Sequence, residues 1–110
     1  MRITRKYDRY VFSEAINVRR HSPAAIVPAI ALEICQGGMS AIIPDSLRVG
    51  EETELLVSTP FDRLLLPAIV RNKNQFRYGF EFTAITDEQR ERIRQLCDSL
   101  IRYTGGIDQE

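Results

Sequence analysis

Arg5 and Arg9 stand four residues apart in a basic segment, residues 1 to 10, that also carries Arg2 and Lys6 against one acid, Asp8. A guanidinium offers two parallel N–H donors, which suit a phosphate or the Hoogsteen edge of guanine. Spacing alone carries little, because Arg90 and Arg94 repeat it further on. The setting distinguishes the first pair: a mobile basic arm just ahead of a small β-domain. A second group is Glu33 and Cys35, beside Gln36-Gly37-Gly38. A carboxylate and a thiol next to backbone amides unscreened by side chains make a plausible ligand platform. The same residues also fit an ordinary hairpin.

Other chemistries lack their parts. His21 is the only histidine and lies in an arginine-rich turn, where it has no nucleophile to serve. Cys35 and Cys97 are too far apart in sequence to form a zinc motif or a disulfide scaffold and read as free thiols in a reducing cytosol. No glycine-rich, lysine-terminated phosphate loop occurs. Glu51, Glu52 and Glu54 read as the solvated end of a strand. The sequence therefore supports no enzyme: no catalytic residue, no metal and no cofactor.

These residues need elements to position them. Ile30, Leu32 and Ile34 alternate with Ala31, Glu33 and Cys35, which predicts a half-buried strand with Glu33 and Cys35 on the face opposite the three apolar residues. Gly37-Gly38 is expected to reverse the chain at positive φ, and Met39 to Ile43 to return. Upstream, strand character starts near Tyr10 and runs through Val18, with a turn at Arg19 to Pro23. Ala24 to Cys35 is extended, and Pro28 inside it implies an edge or a bulge. Glu54 to Thr59 and Leu64 to Arg71 are further strands, the latter with Pro67 at an edge. Asn72-Lys73-Asn74 reads as a hairpin turn. Phe76, Tyr78, Phe80 and Phe82 then share one face.

The period next becomes helical. Thr86-Asp87-Glu88-Gln89 fits a capping box, and Ile93, Leu96, Cys97, Leu100 and Ile101 form one stripe. Arg90, Arg92 and Arg94 fall outside the stripe and read as solvated. Gly105 is the expected stop. About six strands followed by one helix imply a mainly β fold, a small six-stranded antiparallel barrel with a C-terminal helix. The expected division is a flexible arm over 1–10, the barrel and helix over 11–104, and a frayed tail over 105–110.

The whole chain agrees with this scale. Its 110 residues suit one core, and 44% hydrophobic with 27% charged residues is a globular composition. Lys+Arg and Asp+Glu each count 15, so attraction to an anionic partner has to come from local clustering. The balance argues against a nucleic-acid polymer as partner. No apolar run reaches membrane-spanning length, and the basic start has no apolar segment after it to make a signal peptide. Membrane insertion is not expected, and a cytoplasmic location is.

Taken in order, these pieces resemble the PilZ domain, a bacterial receptor module for cyclic di-GMP. The family pattern is Arg-x-x-x-Arg, a strand, then [Asp/Asn]-x-Ser-x-x-Gly at the turn between the second and third strands. Arg5-Lys6-Tyr7-Asp8-Arg9 looks like the first element, and Glu33-Ile34-Cys35-Gln36-Gly37-Gly38 lies where the second belongs. Val70-Arg71-Asn72 and Tyr78-Gly79-Phe80-Glu81-Phe82 resemble the last two strands. Glu33 replaces the usual Asp or Asn, and Cys35 the usual Ser; Gly38 is retained. The resemblance implies Arg5 and Arg9 as ligand clamps, Glu33 and Cys35 as altered guanine-side contacts, and Gly38 as backbone clearance. It also implies a downstream protein partner. Loss of the nucleotide, leaving a protein-interaction module, is the alternative implied by the altered motif.

Overall fold

The computed structural model describes residues 8–59 and 62–100. Its strands are β1 (Tyr10–His21), β2 (Ala24–Cys35), β3 (Gly38–Ile42), β4 (Glu52–Ser58), β5 (Arg63–Asn74) and β6 (Arg77–Phe82), followed by helix α1 (Asp87–Asp98). All pairings are antiparallel, and the order β1-β2-β3-β6-β5-β4 closes into a barrel. Closure is made by β1 against β4, from Arg20↔Thr53 to Asn17↔Leu56. The mainly β barrel with a C-terminal helix is thus the fold that the alternation implied.

Inward-facing side chains fill the barrel: Val18, Leu55, Leu66, Val70 and Tyr78 are all fully buried. Full burial of one such aliphatic side chain contributes roughly 1.5–3 kcal/mol. The prolines sit where the ladder does not need their missing N–H. Pro28 lies in the part of β2 that extends past its pairing with β3, which begins at Ile30↔Ile42. Pro67 lies just beyond the Ala68↔Phe82 pair and uses only its carbonyl, which accepts from the Thr83 amide at 2.8 Å.

Several expectations need correction. Arg19, Arg20 and His21 belong to β1, because all three pair with β2, and the turn shrinks to Ser22-Pro23. The β5–β6 turn is Gln75-Phe76 rather than Asn72 to Asn74, with Gln75 at φ 57°. Phe76 therefore leaves the aromatic face and is 59% exposed. The glycines of the β2–β3 turn do not adopt positive φ; among the described residues the only such glycine is Gly50, at φ 93°. The helix ends at Asp98 with Ser99 as its C-cap, well before the stop expected at Gly105. Ile101 and Gly105 lie outside the described residues.

The solvated acidic cluster is also overturned, because Glu51 is buried. Its Oε2 accepts from Arg20 Nε at 2.7 Å and its Oε1 from Arg20 Nη2 and the Arg48 amide, both at 3.0 Å. Burial pushes the Glu51 carboxyl up, but the hydrogen bonds from Arg20 and Arg48 outweigh it and hold the group below the usual carboxylate range. The Tyr78 hydroxyl donates to Asp45 O at 2.8 Å and accepts from the Leu47 amide at 3.0 Å. Together these contacts pin the long β3–β4 connection, with Leu47 in the core.

The helix docks as its stripe requires. The Thr86 hydroxyl accepts from the Gln89 amide, and Gln89 Oε1 accepts from the Thr86 amide. Gln89 Nε2 also donates to Leu65 O at 2.8 Å, tying the cap to β5. Ile93 and Cys97 enter the core.

Candidate functional site

The residues around the β2–β3 turn are aimed by a fault in β2. Val27, Ala29 and Ala31 face inward, and an unbroken strand would turn Glu33 and Cys35 inward too. The β2–β3 register shifts between Ala31 and Glu33, so Leu32 is an extra residue and the phase reverses. Ile34 then points into the core, while Glu33 and Cys35 face out. The expectation for these two holds only against Ile34. Ile30 is on the outer face, 49% exposed, because it precedes the bulge.

β5 has the same device. Leu64, Leu66, Ala68 and Val70 face inward, and the β5–β6 register shifts between Val70 and Asn72. Asn72 consequently pairs with outward-facing Gly79. A side chain on Gly79 would meet the Asn72 amide, its Cβ lying 2.6 Å from Oδ1.

Between the two bulged strands lies a cleft of about 620 Å³. Glu33, Cys35, Gly38 and Ser40 line one side, Arg71, Asn72, Arg77 and Glu81 another, and Arg9 and Arg90 complete the rim. Four guanidiniums thus face two carboxylates, Glu33 and Glu81. This is the local clustering that a chain of zero net charge needs to attract an anion. Arg9 Nη1 lies 3.0 Å from Glu33 Oε1, and Arg77 Nη2 lies 3.6 Å from the same oxygen. Arg71 is paired with Glu81. The Ser40 hydroxyl, opposite Glu33 and Gly79 in register, is buried without a hydrogen-bond partner among the described residues.

Gly38 is demanded by packing. A Cβ there would lie 2.0 Å from the Phe80 carbonyl oxygen, so its missing side chain makes room for β6 itself. Cys97 is buried behind the cleft, and burial, with Cys35 adding to it, pushes its thiol up to about 12. It stays protonated at neutral pH and is a poor nucleophile. No cluster of three or more potential metal ligands occurs among the described residues.

Of the residues singled out from sequence, Arg9, Glu33, Cys35 and Gly38 come together at one cleft. Arg5 lies outside the described residues. Ser40, Arg77 and Arg90 also line the cleft and were not singled out. Arg90 is exposed, as the reading of a solvated helix face expects, and it also lines the cleft. It lies off the apolar stripe as expected.

The sequence matches the family model for the PilZ domain over residues 3–99. This chain belongs to the PilZ domain family. The PilZ fold recurs in solved structures at low identity. The PilZ domain of YcgR from Escherichia coli, solved with c-di-GMP, superimposes with a TM-score of 0.72 at 14% identity, over 89% of this chain and 92% of that one. The PilZ domain of CeSA from a cellulose-synthesizing bacterium gives 0.69 at 18% identity, over 83% and 95%. The Bacillus subtilis inhibitor of motility, MotI/DgrA, gives 0.72 at 17%, over 89% of this chain and 51% of that one. No curated protein matches the sequence significantly. No helix among the described residues is long and apolar enough to cross a membrane.

Proposed function

We propose that this PilZ domain is a cyclic di-GMP receptor module without catalytic activity. The observation that carries the reading is the cleft beside the β2–β3 turn, where four arginines from separate elements outnumber two carboxylates. A cyclic dinucleotide has two phosphodiesters and two guanines, and guanidiniums recognise both groups. Arg5 and Arg9 clamp the ligand against the barrel, and Glu33 and Cys35 meet a guanine. The unpartnered Ser40 hydroxyl fits a ligand contact on the same floor. Gly38 acts indirectly, by letting β3 and β6 approach. The output passes to a downstream protein through the ordered arm and a changed surface.

Glu33 favours a second reading. Its carboxylate already engages Arg9 and Arg77, the partners that a ligand would use. A domain that had lost the nucleotide and served as a protein-interaction module would tolerate this arrangement. Calorimetric titration with cyclic di-GMP separates the two. Saturable heat at one or two ligands per chain supports the receptor. Neither heat nor chemical-shift change at millimolar ligand replaces it with the interaction module.

A further inference from the structure

Every other arginine of the cleft already contacts a carboxylate of the protein. Arg9 and Arg77 share Glu33, and Arg71 holds Glu81. The neighbouring arginines of α1 are occupied as well. Arg92 Nη1 donates to both Asp62 carboxylate oxygens, at 2.8 and 2.7 Å, and its Nη2 reaches Glu88. Arg94 is held by Glu91 and Asp98. Arg90 lines the cleft, yet its guanidinium has no ion pair or hydrogen bond among the described residues.

We infer that Arg90 is an anion-binding residue of the cleft, so that a phosphodiester ligand is held from the helix as well as from the barrel. This rests on the receptor reading above. An anion that reaches Arg9, Arg71 or Arg77 displaces a carboxylate, and its gain is the difference between two charge-assisted contacts. At Arg90 it displaces only water. The position is also rigidly supplied. Gln89, the preceding residue, is tied to Leu65 O, and Ile93, three residues on, is fully buried. The backbone at Arg90 is therefore fixed at the rim, and only the side chain has to order on binding. Engagement of Arg90 links α1 to the ligand directly, which gives the ligand a way to alter the surface that the helix presents.

The test is calorimetric titration of cyclic di-GMP into the full chain and three variants, Arg90→Ala, Arg90→Lys and Arg94→Ala, with thermal unfolding to verify each fold. Loss of one charge-assisted contact predicts roughly tenfold to hundredfold weaker binding for Arg90→Ala. Arg90→Lys, which keeps the charge without the fork, falls between, and Arg94→Ala binds like the parent. Hydrogen exchange over residues 87–98 slows with ligand in the parent and much less in Arg90→Ala. Unchanged affinity in Arg90→Ala, or equal slowing of the helix amides, overturns this inference and leaves the receptor reading standing. Absence of binding by the parent overturns both, and is seen before any variant is compared.

Discussion

Two arginine–glutamate pairs sit at opposite ends of the β1–β2 hairpin and have opposite characters. At one end Arg20 and Glu51 form a two-pronged pair with side chains only 8% and 4% exposed, and the Arg48 amide completes the carboxylate. At the other end Arg9 Nη1 lies 3.0 Å from Glu33 Oε1, with side chains 29% and 12% exposed, and Arg77 competes for the same oxygen. The first pair is buried and fully satisfied, with Asp45 Oδ2 a further partner 3.6 Å from Arg20 Nη1. The second is shared, half open and beside an unpartnered hydroxyl. A pair that is fully satisfied holds a loop; a pair that is incompletely satisfied can exchange partners. The same two residue types thus mark a structural joint in one place and line the proposed ligand cleft in the other.

The comparison is most sharply tested by removing each acid. Glu51→Ala strands a buried guanidinium and should cost about 3 kcal/mol of stability. Glu33→Ala should cost about 1 kcal/mol, since its partners Arg9 and Arg77 keep contact with water. Urea denaturation midpoints measure both, and equal shifts would dissolve the distinction. Acid sharpens it further. The Glu51 carboxyl is depressed in the folded state, so its contribution is complete above its unfolded value of 4.5 and is lost as pH falls through the lower folded value. Thermal melts from pH 7 to 3 should therefore fall more steeply for the parent than for Glu51→Gln.

At the open end the effects should appear in affinity. Arg5→Ala and Arg9→Ala should each weaken cyclic di-GMP binding roughly tenfold to hundredfold while the melting temperature hardly moves. Calorimetry that returns parental affinity for both would leave the clamp without support. Gly38→Ala should behave the other way. Its new Cβ meets the Phe80 backbone, so a loss of about 1–3 kcal/mol in unfolding free energy is expected from overpacking. The smallest effect belongs to the altered motif. Glu33→Asp with Cys35→Ser should tighten binding about tenfold, since each restored hydrogen bond is worth roughly 0.5–1.5 kcal/mol. Weaker binding by that double variant would mean that the cleft is tuned to Glu33 and Cys35 as they stand.

The barrel was legible because alternation by twos is strong in Tyr78 to Phe82 and in the core of β4, and because Thr86 and Gln89 announce the helix. Of the candidate site, the sequence singled out Arg9, Glu33, Cys35 and Gly38, which line one cleft. What escaped has physical causes. A bulge is a change of phase, and no residue type announces it, so Ile30 was assigned to the wrong face. Glu51 looked like its solvated neighbours because Arg20, its partner, comes from a distant strand. Arg90 was placed correctly off the helix stripe, but periodicity says only what a residue does not touch. For Gly38 the sequence suggested a turn conformation, whereas the need is clearance from β6, a strand far along the chain.

The bulge at Leu32 has a bearing on how the hairpin finds its register during folding. A hairpin that slipped by one residue and lost the bulge would drive Glu33 into the core beside Cys35, with Ile34 expelled to water. An ionised carboxylate buried without its arginine costs several kilocalories per mole, far more than one local kink. Glu33 therefore acts as a register pin: the charge that serves the cleft also penalises the misaligned strand before any ligand is met.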